Sequence, residues 1–493
     1  MLTSQKLISL ENYKHNRQAF SGTEDSKLDP KANPDPLNRQ KVNLDTIDTI
    51  GWVFSGGGAK GVFEAGVACA LAKAGLLPDV LVGTSVGALN AAALADGDVD
   101  KAVEVWKDIS KDKVYKTRIG KIIFESLGQI ANWIGINNSK KVKSLLDNSP
   151  LRELLKKHLD YDSILDPDKK HPALMFGVTG LNNGREGLYA SPELYEALKD
   201  KYDKGDFYKL FKLTPDNFED AVISSTSIPM AFPAVQIDDE VFVDGGTGNN
   251  TPAKNGIDAL FALNKDLKEG LLFVVLLQPP DGADQQKDHF TAENADVKKV
   301  AVRTLNIILD NTAKTDVKTT QAITEEIERW EKVNSPVQDA LEKIGMKAQD
   351  LKMQAAEMLK LANLLPKQSD QEKLRRIAEE LSDIGEDNIE DAQHLSNIIG
   401  KYKPFDGKKK IKVVLIRPNE SFGVDTLEFD KAGQKAEEVI RKGYEATLNA
   451  LYQTEVINLD KYRTLMQENP YPVGNMFDRK SKNKETTASK LAG

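Results

Sequence analysis

Apolar positions along this chain fall into short continuous runs separated by stretches of helical period. Residues 51–54 (Gly-Trp-Val-Phe) form such a run and lead directly into Ser55, Gly56, Gly57 and Gly58. Over 61–74, Val62, Phe63, Gly66, Val67, Ala70 and Leu71 share one stripe, which predicts a helix. Val80, Leu81 and Val82 predict a second buried strand, followed by Gly83 and an alanine-rich helix to about Ala95. Further strands are expected at 174–179, 236–243, 271–277 and 411–417. Buried strands alternating with helices imply parallel neighbours joined by crossover helices. The expected fold class is therefore α/β, a parallel-type sheet flanked by helices.

The pattern changes between 281 and 410. Val337, Leu341, Ile344, Ala348, Leu351, Ala355, Met358, Ala362 and Leu365 alternate steps of four and three, keeping one helical face apolar. Ser335, Pro336 and Gln338 supply an N-cap, a first-turn proline and a capping-box partner. Ser369 and Glu372 cap a second helix carrying Leu374, Ile377, Leu381 and Ile384, and an earlier helix is expected over 294–331. This predicts a long all-helical insertion, a hairpin or small bundle, interrupting the sheet. It is either structural elaboration or an arm for a protein partner or self-association. Residues 1–47 are polar, with Pro30, Pro34 and Pro36 close together, and predict a disordered or loosely attached arm. The expected divisions are 1–47, an α/β unit over 48–280 and 411–455, the insertion 281–410, and a tail 456–493.

Composition narrows the classes. The net charge of −8 argues against a protein that neutralises nucleic-acid phosphates. No apolar run approaches the roughly 18 residues of a membrane span, and the N-terminus lacks a basic segment followed by an apolar core. A lone cysteine, Cys69, excludes an internal disulfide framework and suits a reducing compartment. Cytoplasm is the default expectation, and delivery by a specialised secretion apparatus would leave no visible mark. No His/Cys/Asp cluster has metal-ligand spacing, so no metal or cofactor is expected.

Three short motifs carry chemistry. Gly56, Gly58 and Gly61 satisfy G-x-G-x-x-G, with Gly57 and Lys60 between them, directly after a strand. A dinucleotide fold would want an acid closing the second strand, yet Asp79 precedes that strand. The loop reads as anion-receiving, neutral between phosphate and oxyanion. Gly83-x-Ser85-x-Gly87 places a serine on a strand-to-helix turn, where small neighbours relieve crowding. None of His15, His158, His171, His289 and His394 sits where a triad base belongs, so a carboxylate acting directly on Ser85 is the economical base. A strand at 241–243 delivers Asp244, followed by Gly245 and Gly246, although Asp-Gly alone also marks a plain turn. An amphipathic stretch with Ile119, Ile122, Ile123, Leu127, Ile130 and Trp133 beside several lysines reads as a helix packed on the sheet or as an interfacial helix or lid.

In this order the three motifs resemble the patatin-like phospholipase family, relatives of cytosolic phospholipase A2. The likeness extends to Ala221 through Pro229, Phe232-Pro233, Asn249 through Pro252, and the stretch from Phe429 to Tyr444, so it covers roughly 50–279 and 411–450. The resemblance implies a Ser85–Asp244 dyad hydrolysing acyl esters of lipids at a membrane surface, with a phospholipid or other acyl-ester lipid as substrate. It implies an oxyanion hole at Gly56, Gly57 and Gly58, Lys60 and Gly61 shaping the loop or attracting phosphate, Gly83 and Gly87 at the elbow, and a turn at Gly245 and Gly246. Two rival readings stand beside it: a non-hydrolytic phosphate- or nucleotide-binding module, and an interaction protein acting through the insertion.

Overall fold

A computed structural model describes residues 35, 38, 40–118, 144–202, 208–264, 269–280, 329, 348–365, 368–383 and 410–478. Among these, a nine-stranded mixed sheet, parallel through its centre, is flanked by helices. The parallel strands run in the spatial order β11 (Lys410–Ile416), β10 (Glu269–Val275), β1 (Thr49–Phe54), β2 (Val80–Thr84) and β5 (Ala173–Gly180). Antiparallel to β5 lies β6 (Glu186–Ala190), and β7 (Tyr208–Lys212) pairs in parallel with β6 at the edge. A hairpin, β8 (Val235–Ile237) and β9 (Glu240–Asp244), joins the sheet through β9 and β5. The two-residue strands β3 (Lys116–Thr117) and β4 (Leu146–Asp147) form a separate ribbon.

Side chains of these strands alternate between two cores, as pleated backbone requires. Trp52, Phe54, Phe176, Phe273 and Val275 point into one core. There they meet α1 (Val62–Ala74) and a late helix, α10 (Ala436–Gln453). Val53, Val82, Met175, Leu272 and Val274 point into the other, against α5 (Pro192–Tyr202) and α7 (Ala253–Leu263). Because both faces are covered, the central strands are apolar throughout, which is why continuous runs marked them.

Helices α1 and α10 cross with their backbones nearly touching. A Cβ on Gly66 would lie 2.0 Å from Ile440 O, and one on Gly443 would lie 2.1 Å from Phe63 O. Gly66→Ala is therefore expected to push the helices apart and destabilise the fold by roughly 1–3 kcal/mol, as overpacked cores do. Thermal denaturation of the variant measures the loss.

Several expectations change. The single strand expected at 236–243 is the β8–β9 hairpin, because Asp238 adopts φ +51° and turns the chain. Strands β6 and β7 were not anticipated. The last part of the expected arm is held, not loose: the Asn38 side chain donates to Leu415 O and accepts from Leu415 N, both at 2.8 Å, and Arg417 pairs with Asp35. Packing also continues beyond 455. Helix α11 (Leu459–Gln467) buries Tyr462 and Leu465, the Asp100 carboxylate accepts from Val473 and Gly474 N–H, and Met476 is buried. Of the expected insertion, helices α8 (Ala348–Ala362) and α9 (Gln368–Asp383) are described, with Met358, Leu361, Leu374 and Leu381 buried. The rest of that expectation, and the amphipathic stretch from Ile119 to Trp133, lie outside the described residues.

Candidate active site

Strand β5 brings the distant motifs together. Strand β2 pairs with β5 up to Thr84 opposite Gly177, and then stops. With β6 occupying the other edge over 175–179, β9 continues along the edge that β2 vacates, placing Asp244 opposite Val178. Ser85 follows Thr84 directly. The end of one strand and the start of its replacement thus meet at one point, and Ser85 Oγ donates to Asp244 Oδ2 at 2.7 Å.

Ser85 holds φ 56° and ψ −126°, a backbone state that costs about 1–3 kcal/mol and is kept only where the surroundings enforce it. The turn begins α2 (Val86–Ala93) at the carboxyl end of β2. Its flanking glycines are needed for contact: a Cβ on Gly83 would lie 2.2 Å from Gly87 O, and one on Gly87 would lie 2.3 Å from Phe54 O. Ser225, at the end of α6 (Pro215–Ser225), locks the turn from the other side. Its hydroxyl accepts from Ser85 N–H at 2.9 Å and donates to Gly177 O at 2.6 Å.

The carboxylate is fixed with equal care. Asp244 N–H donates to Ser227 O at 2.9 Å, and Gly246 N–H donates to Asp244 Oδ1 at 2.8 Å. Gly245 passes so close to Gly177 O that a Cβ would lie 2.2 Å away. Burial raises the Asp244 carboxyl to about 7, opposed only in part by the bonds from Ser85 and Gly246. The unfolded chain ionises this group near 3.8, so the fold loses stability as pH rises from about 4 to about 7, by roughly 4 kcal/mol in all. Asp244→Asn, whose Oδ1 can keep the bond from Gly246 N–H while its Nδ2 donates to Ser85 Oγ in place of accepting, is expected to melt higher than the parent at pH 8 and alike near pH 4. Paired thermal melts at the two pH values check this.

The glycine loop closes the third side. Gly56 N–H donates to Asn250 O at 3.0 Å, so it is occupied and is not free to meet an oxyanion. No backbone hydrogen bond from Gly57 or Gly58 N–H is made to the described residues. Gly58 has φ +59°, and Ala59 N–H donates to Thr426 O at 2.8 Å. Lys60 lies largely buried in the short 3-10 turn Gly58–Gly61, its N–H donating to Gly57 O at 3.3 Å, which places it in the shape of the loop. Gly61 packs on α2, where a Cβ would lie 2.3 Å from Val86 Cγ2.

Asn250 and Ser225 went unnoticed as site residues in the sequence. Their neighbours were visible in the stretches before and after Asp244, but their bonds depend on tertiary register. Asp79 is structural, accepting from Ile50 N–H at 2.9 Å. His171 Nε2 lies 2.8 Å from Asp166 O, His158 sits on α4 (Ser149–His158), and the other three histidines lie outside the described residues. Among the described residues, no group of acidic, histidine or cysteine side chains could hold a metal ion, and no helix is long and apolar enough to cross a membrane.

Comparison with solved structures finds similarity to the crystal structure of VipD from Legionella pneumophila, at 16% identity and a TM-score of 0.29, covering 82% of this chain and 66% of that one. This chain thus spans just under two thirds of the VipD chain. No curated protein sequence matches. Residues 52–257, which hold Ser85, Asp244 and the glycine loop, match the family described as patatin-like phospholipase. The chain therefore carries a patatin-like phospholipase domain over residues 52–257.

Proposed function

We propose that this protein is a lipid acyl hydrolase of the phospholipase A type, with Ser85 as nucleophile and Asp244 as its base. The family, typically of serine hydrolases, supports the reaction class. The observation that carries the reading is the 2.7 Å contact from Ser85 Oγ to the buried carboxylate of Asp244. A buried anion there also disfavours a phosphate-binding module, since it would repel the ligand.

The chemistry follows from the positions. Ser85 Oγ attacks the ester carbonyl carbon as its proton passes to Asp244 Oδ2. The carbonyl oxygen gains the charge and meets the N–H groups of Gly57 and Gly58, each worth roughly 3–4 kcal/mol in comparable sites. Collapse of the tetrahedral species expels the lipid alcohol, which takes the proton from Asp244. Water, giving a proton to the same carboxylate, then attacks the acyl-serine; the second tetrahedral species collapses, Ser85 Oγ leaves with that proton returned from Asp244, and the fatty acid is freed.

A base raised to about 7 is active only when ionised, so kcat/KM should climb about tenfold per pH unit below 7 and level off above it. A profile on a soluble ester checks this, and a flat response from pH 5.5 to 8.5 contradicts the assignment. The function itself is tested with mixed phospholipid vesicles, analysing products by mass spectrometry beside Ser85→Ala. Fatty acid and lysophospholipid from the parent alone support the reading; no acyl release from any lipid overturns it.

A further inference from the structure

Glu64, in the first turn of α1, has no part in the chemistry above, yet its side chain is wholly buried. No salt bridge to Glu64 exists among the described residues. Asn90 Nδ2 donates to Glu64 Oε2 at 2.7 Å, and Glu64 Oε1 is buried without a partner. Asn90 belongs to α2, the helix that Ser85 begins, and the same Nδ2 donates to Gly61 O at 2.9 Å. Trp106, on α3 (Val99–Lys107), completes the set by donating Nε1–H to Asn90 Oδ1 at 2.8 Å. All three polar contacts of the Asn90 amide are thereby fixed.

We propose that Glu64, Asn90 and Trp106 form a positioning clamp that sets the glycine loop in register with Ser85, and that Glu64 serves in it as an uncharged acid. The loop leaves β1 at Phe54 and ends at Gly61, where its carbonyl is held by the helix bearing the nucleophile. The clamp therefore joins the two halves of the site: the donors of Gly57 and Gly58 on one side, Ser85 on the other. A misplacement of about 1 Å between such groups can cost about 100-fold in rate. An ionised Glu64 would bury a full negative charge with no cation beside it, a costly state. A neutral acid avoids it, and burial accordingly pushes the Glu64 carboxyl well above its usual range, with only Asn90 and the Ser55 backbone opposing.

The catalytic half of this inference rests on the hydrolase reading; the structural half does not, so the test carries two readouts. Full-length parent, Glu64→Ala, Glu64→Gln and Ser85→Ala are compared by hydrogen–deuterium exchange over 55–61 and by kcat and KM on a soluble ester. Glu64→Ala is expected to speed exchange of the loop at least fivefold. It should also lower kcat at least tenfold, with KM within twofold. Glu64→Gln, uncharged and of the same shape, is expected to match the parent in both. Parent-like exchange in Glu64→Ala overturns the clamp whatever the activity, and loosening in Glu64→Gln equal to that in Glu64→Ala overturns the uncharged acid. Equal ester release by parent and Ser85→Ala would count against the hydrolase reading alone. Should Glu64→Ala be insoluble, Trp106→Phe replaces it, and an unchanged loop exchange there overturns the clamp.

Discussion

Ser85→Ala is expected to lower acyl release by a factor on the order of 10³ to 10⁶, and Asp244→Asn by on the order of 10³ to 10⁴, each in a folded protein. The reason is a single hydrogen bond. Ser85 Oγ is a weak nucleophile until its proton has somewhere to go, and among the described residues its acceptor is Asp244 Oδ2. Asn at 244 can keep the geometry but cannot take the proton. Because the two oxygens act as one unit, the double variant should be little slower than Ser85→Ala alone. Independent contributions would instead multiply. Single-turnover rates on a soluble ester, with fluorophosphonate labelling to count competent serines, separate the cases. Labelling that survives Ser85→Ala, or losses that multiply in the double variant, would remove the dyad.

Much of this arrangement was visible in residue order, for identifiable reasons. The central strands of a sheet covered on both faces are runs of apolar residues, so β1, β2, β5 and β10 announce themselves, and the edge strand β11 does so through Val413 to Ile416. Ser85 and the glycine loop are marked by Gly58, Gly83 and Gly87, where any Cβ would run into backbone. Strand β6 stayed hidden because its apolar run is only Leu188, Tyr189 and Ala190, and β7 because it lies at the sheet edge, where Leu210 alone is buried and Lys209 and Lys212 face water. The β8–β9 hairpin hid because Asp238 and Asp239 do not by themselves divide the stretch 236–243, and an aspartate with φ +51° is not distinguishable in sequence from one in a strand. The meeting of Ser85 with Asp244 could be inferred only by resemblance. It depends on β9 taking over an edge of β5 where β2 ends, and register of that kind leaves no local trace. Glu64 is the sharpest case. In sequence it is an ordinary first-turn acid of a helix, and only the packing of α2 and α3 around it reveals a buried carboxyl.

The three glycines of the loop look interchangeable in sequence, and the structure predicts that they are not. Gly58→Ala is expected to lower kcat on the order of 10²- to 10³-fold, the loss seen when one oxyanion donor is removed. At φ +59° an L-residue pays about 1–2 kcal/mol in the left-handed region, and its Cβ would lie 2.1 Å from the backbone oxygen Thr426 O. That carbonyl is held by Ala59 N–H and cannot retreat without freeing the loop, so the Gly58 peptide must shift, and in the proposed mechanism its N–H is lost to the reacting carbonyl. Gly57 differs on both counts. Its φ of 169° lies outside the left-handed region, and the nearest atom to a Cβ is Leu277 Cδ1, the far end of a flexible side chain, at 2.6 Å. Gly57→Ala should therefore keep kcat within about tenfold of the parent, a rotamer change at Leu277 absorbing the contact. Active-site titration followed by kcat on the same ester ranks the two. Equal losses at Gly57 and Gly58 would mean that the loop fails by losing flexibility in general, and that the left-handed turn at Gly58 does not aim the donor at the reacting carbonyl.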